Sequence, residues 1–224
     1  MDSIAPVGRS ACYYQQMRII NVEQGTEQWL KMRIGMITGT RLKGVMGSKV
    51  VQKTLMNELI AEQMTGLPKQ IFVNAAMKWG TDNEEFAVWA YEHKYKRTTQ
   101  EVGFCISDEF PYLGLSPDRL IMTSNKYRRA VEVKAPMTET VVKYILDGGI
   151  PPEYKWQVVN YFLVCEDLTH LDFVIYDPRI RDVERKLTKI EVTRKDVASD
   201  IAAAKERLVE FRINWEEKLK QLGL

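Results

Sequence analysis

The feature that most constrains this chain is a change of pattern near residue 100. Upstream, apolar residues recur at helical spacing. Downstream, stretches 102–107, 113–121 and 127–135 read as three short strands separated by turn residues, with Asn125 in the last turn. Helix returns at 138–146, closed by Gly148-Gly149, and again at 153–164. Residues 171–176 read as a buried strand, and Ile190 and Val192 as part of an edge strand. The order implies an α/β fold with a central mixed β-sheet of four or five strands flanked by helices.

The flanking helices carry their own punctuation. Thr26 reads as the N-cap of a helix over 27–34. A second helix follows the Thr38-Gly39-Thr40 turn and ends near Gly44 to Gly47. A third covers 54–64 and stops at Gly66-Leu67-Pro68. Residues 74–91 read as a longer helix carrying Ala76, Trp79, Phe86, Trp89 and Ala90 near helical spacing. Residues 196–222 form a long C-terminal helix with one apolar stripe through Ile201, Ala204, Leu208, Phe211, Trp215, Leu219 and Leu222. No repeat or Pro/Gly-rich linker interrupts the 224 residues, so they read as one domain: a helical part over about 23–91, a core over about 100–180 and the terminal helix.

Composition excludes several classes. The chain is 45% hydrophobic and 28% charged, which disfavours dominant disorder. Cys12, Cys105 and Cys165 form no CxxC pair, so neither a disulfide framework nor a four-cysteine cluster is expected, and reduced thiols suit a cytoplasmic setting. No apolar run approaches the roughly 18–20 residues of a membrane span. MDSIAPVGRS lacks the apolar core of a secretory signal. The net charge of +2 is uninformative, but residues 1–60 hold eight Lys/Arg against four acids. Such an excess suits an anion-binding wall or a solvated face.

The chemistry concentrates in Ser116-Pro117-Asp118 and Glu132-Val133-Lys134. In a strand, alternation sends Val131, Val133 and Ala135 toward a core and sets Glu132 and Lys134 side by side on the other face. One reading is a surface ion pair on an amphipathic strand. The other is a metal-dependent nuclease centre. In it, Asp118 and Glu132 share a divalent cation and Lys134 sits near the attacking water and the scissile phosphate. Hard carboxylate oxygens hold Mg²⁺ while leaving it several waters. The ion makes a bound water nucleophilic at neutral pH, and an ammonium neutralises developing charge.

The chain resembles the PD-(D/E)xK nuclease superfamily through Pro117-Asp118 and Glu132-Val133-Lys134. Within it, the chain is similar to the phage lambda exonuclease (YqaJ-type viral recombinase) family. The further matching stretches, in order, are Glu23-Gln24-Gly25, Trp29 to Gly35 with Ile37-Thr38, Leu59-Ile60-Ala61-Glu62 with Thr65-Gly66, Trp79-Gly80 with Glu84, Ser116, Ala135-Pro136, Gln157, and Tyr176-Asp177-Pro178-Arg179. The resemblance implies a restriction-endonuclease-like core. It makes Asp118 and Glu132 metal-binding carboxylates, with the Val133 carbonyl and Glu84 as further ligands and Glu85 as the alternative to Glu84. Lys134 becomes the catalytic lysine, and Gln157 a helix glutamine bordering the site. Without the resemblance, Gln157 reads as a partly exposed helix residue.

The implied activity is a 5′→3′ exonuclease on linear double-stranded DNA, with two Mg²⁺ (or Mn²⁺) ions, leaving 3′ single-stranded tails. The implied assembly is a homotrimer around the duplex, working with a single-strand annealing protein in the cytoplasm of a bacterial host, with a phage or prophage origin. Another nuclease on the same core, Cas4-like or endonucleolytic, and a non-catalytic DNA-binding protein are the alternatives. Trp29 and Arg33, four apart, share a helix face. With Thr40 and Ser116 they suit a 5′-phosphate pocket of the kind this family has, although Trp29 suits core packing equally. The chain departs from the family pattern where Thr138-Glu139-Thr140 occupies the place of its arginine after the Glu-x-Lys segment, and the family's basic residue in the N-terminal loop has no clear counterpart, with Lys49 and Lys53 nearby; the grip on a 5′-phosphate is then expected to use a different basic set that includes Lys143. His93 and His170 are isolated, and the basic stretch Arg179-Ile180-Arg181 with Arg185-Lys186 suits either phosphate or solvent.

Overall fold

The computed structural model describes residues 17–70 and 72–224; Asp2, Arg9 and Cys12 lie outside them. Strand β1 (Met17–Ile20), which the sequence pattern did not reveal, is followed by helices α1 (Glu27–Met32), α2 (Gly39–Val45), α3 (Lys49–Thr65) and α4 (Ala75–Tyr95). Thr26 caps α1 by accepting the Trp29 N–H, and Asn74 caps α4 by accepting that of Met77. Helix α3 starts five residues earlier than its apolar pattern suggests because the Ser48 side chain caps it, and it stops at Gly66, whose φ of 65° suits glycine.

Strands β2 (Phe104–Ser107), β3 (Gly114–Leu115), β4 (Arg119–Thr123) and β5 (Lys126–Lys134) come next. They are followed by α5 (Thr138–Asp147), α6 (Lys155–Val164), β6 (His170–Tyr176), β7 (Leu187–Thr193) and α7 (Ala198–Gln221). The single strand expected over 113–121 is two strands. Pro117 has no N–H to give a ladder, and the chain changes sheets there. β3 joins an antiparallel β1-β2-β3 sheet; β4 opens the mixed sheet β4-β5-β6-β7, in which only β5 and β6 run parallel.

Both faces of the mixed sheet are covered. Val131, Val133 and Val174 pack under Ala87, Val88 and Tyr91 of α4. Ala130, Leu171 and Phe173 on the other face meet a larger core built from α2, α3, α6 and α7, in which Trp215 is fully buried. Two expectations are corrected. Phe86 and Trp89 were placed on the apolar pattern of α4, yet both are 63% exposed, because its buried stripe runs through Asn83, Ala87, Val88 and Tyr91. Leu222, assigned to the stripe of the last helix, lies just beyond α7 and is exposed. Helix α1 buries no residue at all.

Helix α4 is also fixed by a buried polar link. The Tyr91 hydroxyl donates to Asp172 of β6, which Arg129 and Lys189 also hold, at 2.6 and 3.3 Å. Asp172 is fully buried, and such a charge is tolerable only when paired in this way. Cys105 and Cys165 are free thiols buried in the core. No helix among the described residues is long and apolar enough to cross a membrane.

Candidate active site

The break at Pro117 sets up the site. Gln24 donates its amide to the carbonyls of Val102 (2.9 Å) and Pro117 (3.0 Å), holding the chain where it leaves one sheet for the other. One residue later, Asp118 Oδ2 accepts the backbone N–H of Val133 at 2.7 Å. Asp118 is thereby locked against the middle of the Glu132-Val133-Lys134 segment.

Strand alternation sends Glu132 toward α6, and Glu132 is 0% exposed. The reading of Glu132 and Lys134 as a surface ion pair therefore fails: a wholly buried carboxylate carries a desolvation cost that only several donors can offset. Three donors do so. Lys134 Nζ and Gln157 Nε2 both donate to Oε1, and the Tyr161 hydroxyl donates to Oε2. Gln157 and Tyr161 lie one turn apart on α6 and present one face to the strand. Lys134 also stands 5.2 Å over the ring of Tyr154. Tyr161 was not singled out from sequence; its place one turn after Gln157 is the signal that could have found it.

Glu84 and Glu85 of α4 part company. Glu85 pairs with Arg119 and is mostly exposed at the tip. Glu84 is partly buried within the electrostatic field of Glu132, Lys134 and Arg119. Burial, and then the nearby Glu132 charge, raise the Glu84 carboxyl above its ordinary range, with Arg119 and Lys134 opposing. Burial likewise pushes Asp118 well up, reinforced by Glu132 and Glu84. Lys134 is held above its usual value: burial works against its charge, but Glu132 and Asp118 outweigh it.

Three carboxylates thus face one ammonium. All-oxygen donors without thiolate or imidazole suit a hard cation such as Mg²⁺ or Mn²⁺ rather than zinc. The raised proton affinities of Asp118 and Glu84 are those of buried acids crowded against a further carboxylate. The donor set therefore fits a divalent ion in chemical type. Among the described residues, however, no three acidic, imidazole or thiol side chains converge closely enough to hold one between them as they stand. The Val133 N–H is committed to Asp118, and Oε1 of Glu132 to Lys134 and Gln157. Binding would require Oε1 to exchange those donors.

A second cluster sits two residues upstream of Asp118. Ser116 Oγ accepts from Trp29 Nε1 at 2.9 Å and from Arg33 Nη1 at 2.7 Å, and the Arg33 guanidinium stacks 4.1 Å over the Trp29 ring. Trp29 is not core, since α1 buries nothing. Burial and the neighbouring Arg41 lower Arg33 to about 10, with Glu62 opposing, so it stays charged near neutrality. Arg41 is neutralised by Glu62, whereas no carboxylate pairs with Arg33 among the described residues. That leaves most of a half-buried guanidinium fork free for an anion.

The remaining candidates divide. Thr40 is exposed in the first turn of α2, and Lys49 and Lys53 are exposed on α3. Lys143 lies on α5 against the ring of Tyr144, at 6.0 Å. Arg179 stays exposed but is engaged: it grips buried Asp177 through Nε (2.8 Å), reaches the Pro136 carbonyl and stacks 4.2 Å over Trp79. Arg185 pairs with Asp182. His93 stacks on Trp89 at the end of α4, and His170 opens β6 beside Thr169.

Comparison with known proteins agrees with this architecture. An alkaline exonuclease from Laribacter hongkongensis, LHK-Exo, superposes with a TM-score of 0.79 at 29% identity, covering 88% of this chain and 96% of that one. Its complex with dAMP matches equally well. A phage-related exonuclease from Haemophilus somnus 129PT shares the fold alone, with a TM-score of 0.56 and 15% identity over 84% of this chain and 96% of the other. No curated protein sequence gives a significant match. The YqaJ-like viral recombinase domain matches residues 28–167, well over half of the sequence. The chain belongs to the YqaJ-like viral recombinase family.

Proposed function

We propose that this protein is a divalent-metal-dependent 5′→3′ exonuclease of linear double-stranded DNA that leaves 3′ single-stranded tails for strand annealing. One observation carries the reading. The free guanidinium site at Ser116 and the carboxylate cluster at Asp118 are the two ends of a single tripeptide. Two residues span at most about 7 Å, the scale of one nucleotide of backbone. A strand end whose 5′-phosphate rests on Arg33, Trp29 and Ser116 would thus present its first internal phosphodiester near Asp118, Glu132 and Lys134. The dAMP complex of the Laribacter exonuclease supports a mononucleotide-sized site in a related protein.

In this mechanism Arg33 binds the terminal phosphate through paired N–H donors, and Trp29 and Ser116 hold the guanidinium in plane. Glu132, Asp118 and Glu84 would hold the cation, which supplies when bound a nucleophilic water and counter-charge for the transition state. Lys134 offsets negative charge developing on the scissile phosphate. Gln157 steadies Glu132 and borders the strand. Thr40, exposed beside the N-terminus of α2, supplies a further hydroxyl to the phosphate. The ion is Mg²⁺, replaceable by Mn²⁺, at two per site. The chain acts as one domain and assembles as a homotrimer around the duplex in the cytoplasm of a bacterial host, with an annealing protein as partner. Light scattering should return three times the chain mass of 26.0 kDa.

The decisive assay compares end-labelled linear duplex with circular duplex, with Mg²⁺ and with EDTA. Mononucleotides released from the 5′ strand of the linear form, in Mg²⁺ alone, are expected; cutting of circles would overturn the exonuclease reading. Arg33→Ala should slow digestion of 5′-phosphorylated ends by about 10- to 100-fold, as expected for a charge-assisted bidentate contact worth about 1.5–3 kcal/mol. Ends bearing a 5′-hydroxyl should be far less affected. Equal losses on both ends would displace the pocket from Arg33.

A further inference from the structure

Glu132 is held in an asymmetric way. Its Oε1 carries two donors from side chains that are themselves partly exposed, Lys134 and Gln157. Its Oε2 carries one, from Tyr161, which is 0% exposed. The same Tyr161 oxygen accepts the backbone N–H of Asp118 at 3.2 Å. A backbone N–H can only donate, so the single hydroxyl proton is committed to Glu132 and a lone pair to Asp118. One buried atom therefore joins the residue just before β4 to the C-terminal part of β5, through a ring anchored on α6.

The geometry points to Tyr161 as a positioning residue that fixes the spacing between the Asp118 loop and the Glu132 carboxylate and presents Oε1, rather than Oε2, to an incoming cation; this rests on the nuclease reading above. Lys134 and Gln157 can swing away from Oε1, because solvent reaches both. Tyr161 cannot leave Oε2 without opening the core around Val158, Phe162 and Leu163. The two oxygens of Glu132 are thus unequal: one is structural, the other exchangeable. Removing the hydroxyl would free the carboxylate to rotate and would leave the Asp118 N–H without its partner. Partners behind a ligand that fix its orientation in this way commonly alter metal affinity or rate by about 10- to 100-fold when removed.

The test is Tyr161→Phe in the full chain, which keeps the ring and removes one atom. Mn²⁺ titrated into the DNA-free protein and followed by electron paramagnetic resonance should bind about 10- to 100-fold more weakly than in the parent. The single-turnover cleavage rate should fall by a similar factor while affinity for the duplex end is unchanged. A thermal-unfolding cycle with Glu132→Gln gives a readout independent of metal and DNA. Tyr161→Phe should lower the melting temperature less in the Glu132→Gln background than alone, because the contact it removes is already weakened. Additive shifts, or parental Mn²⁺ binding in Tyr161→Phe, would overturn the assignment. A parent that fails to cut linear DNA while the two substitutions stay coupled in unfolding would sink the nuclease reading and leave the strut standing.

Discussion

Glu132→Gln should reduce strand cleavage by at least about 100-fold, and Lys134→Met should do the same. Glu132→Gln keeps shape and most hydrogen-bonding capacity, so its loss isolates the charge. Lys134→Met acts differently. It removes one of three donors to a fully buried carboxylate, and breaking a buried pair costs about 3–5 kcal/mol. Lys134 keeps 23% of its side-chain surface, so the lower end of that range applies. Cleavage rates on linear duplex, read beside urea midpoints, separate the two effects. Parental rates in either folded variant would remove the carboxylate cluster from the chemistry.

Trp215→Ala should be the most destabilising of the substitutions considered, by about 3–5 kcal/mol. The indole is fully buried between Phe211 and Tyr112, with Arg212 stacked 4.8 Å from its ring, and it closes the core where α7 crosses the helical layer. Its Nε1 has no partner, so the loss is one of packing and not of a hydrogen bond. Trp215→Phe should therefore cost much less. Equilibrium urea unfolding measures both, and similar midpoints for the two variants would contradict a packing role.

The elements that could be read from sequence were those with local punctuation. Thr26, Asn74 and Gly66 mark helix ends because one side chain or one missing Cβ decides the geometry there. The sheet was less legible. Pro117 announces a missing N–H, but only the tertiary structure shows that the chain uses it to change sheets. On α4, Phe86 and Trp89 look like core by chemistry, while the smaller Ala87 and Val88 fit against the sheet. In the candidate site, period-two alternation places Glu132 beside Lys134, and Asp118 is read with them as a second carboxylate for a shared cation before the resemblance adds its weight. The choice between Glu84 and Glu85 needed the position of Arg119, which occupies Glu85. Tyr161 carries only the faint signal of lying one turn after Gln157, and Gln24 only its place in a matching stretch, since a helical tyrosine ordinarily packs and a loop glutamine ordinarily faces water.

The absence of any buried residue in α1 has a consequence for turnover. The segment carrying Trp29 and Arg33 is tied to the body mainly through Ser116, 87 and 83 residues away, and through its flanking turns. Little apolar burial opposes its release, so it belongs to the least stable part of the molecule. Its amides should exchange with deuterium sooner than those of α6 or β5, and more slowly once a phosphorylated end is docked. Under the proposed function, such a clasp would let go of a spent terminus without disturbing the scaffold beneath it, which would make repeated advance along a strand compatible with a rigid carboxylate cluster.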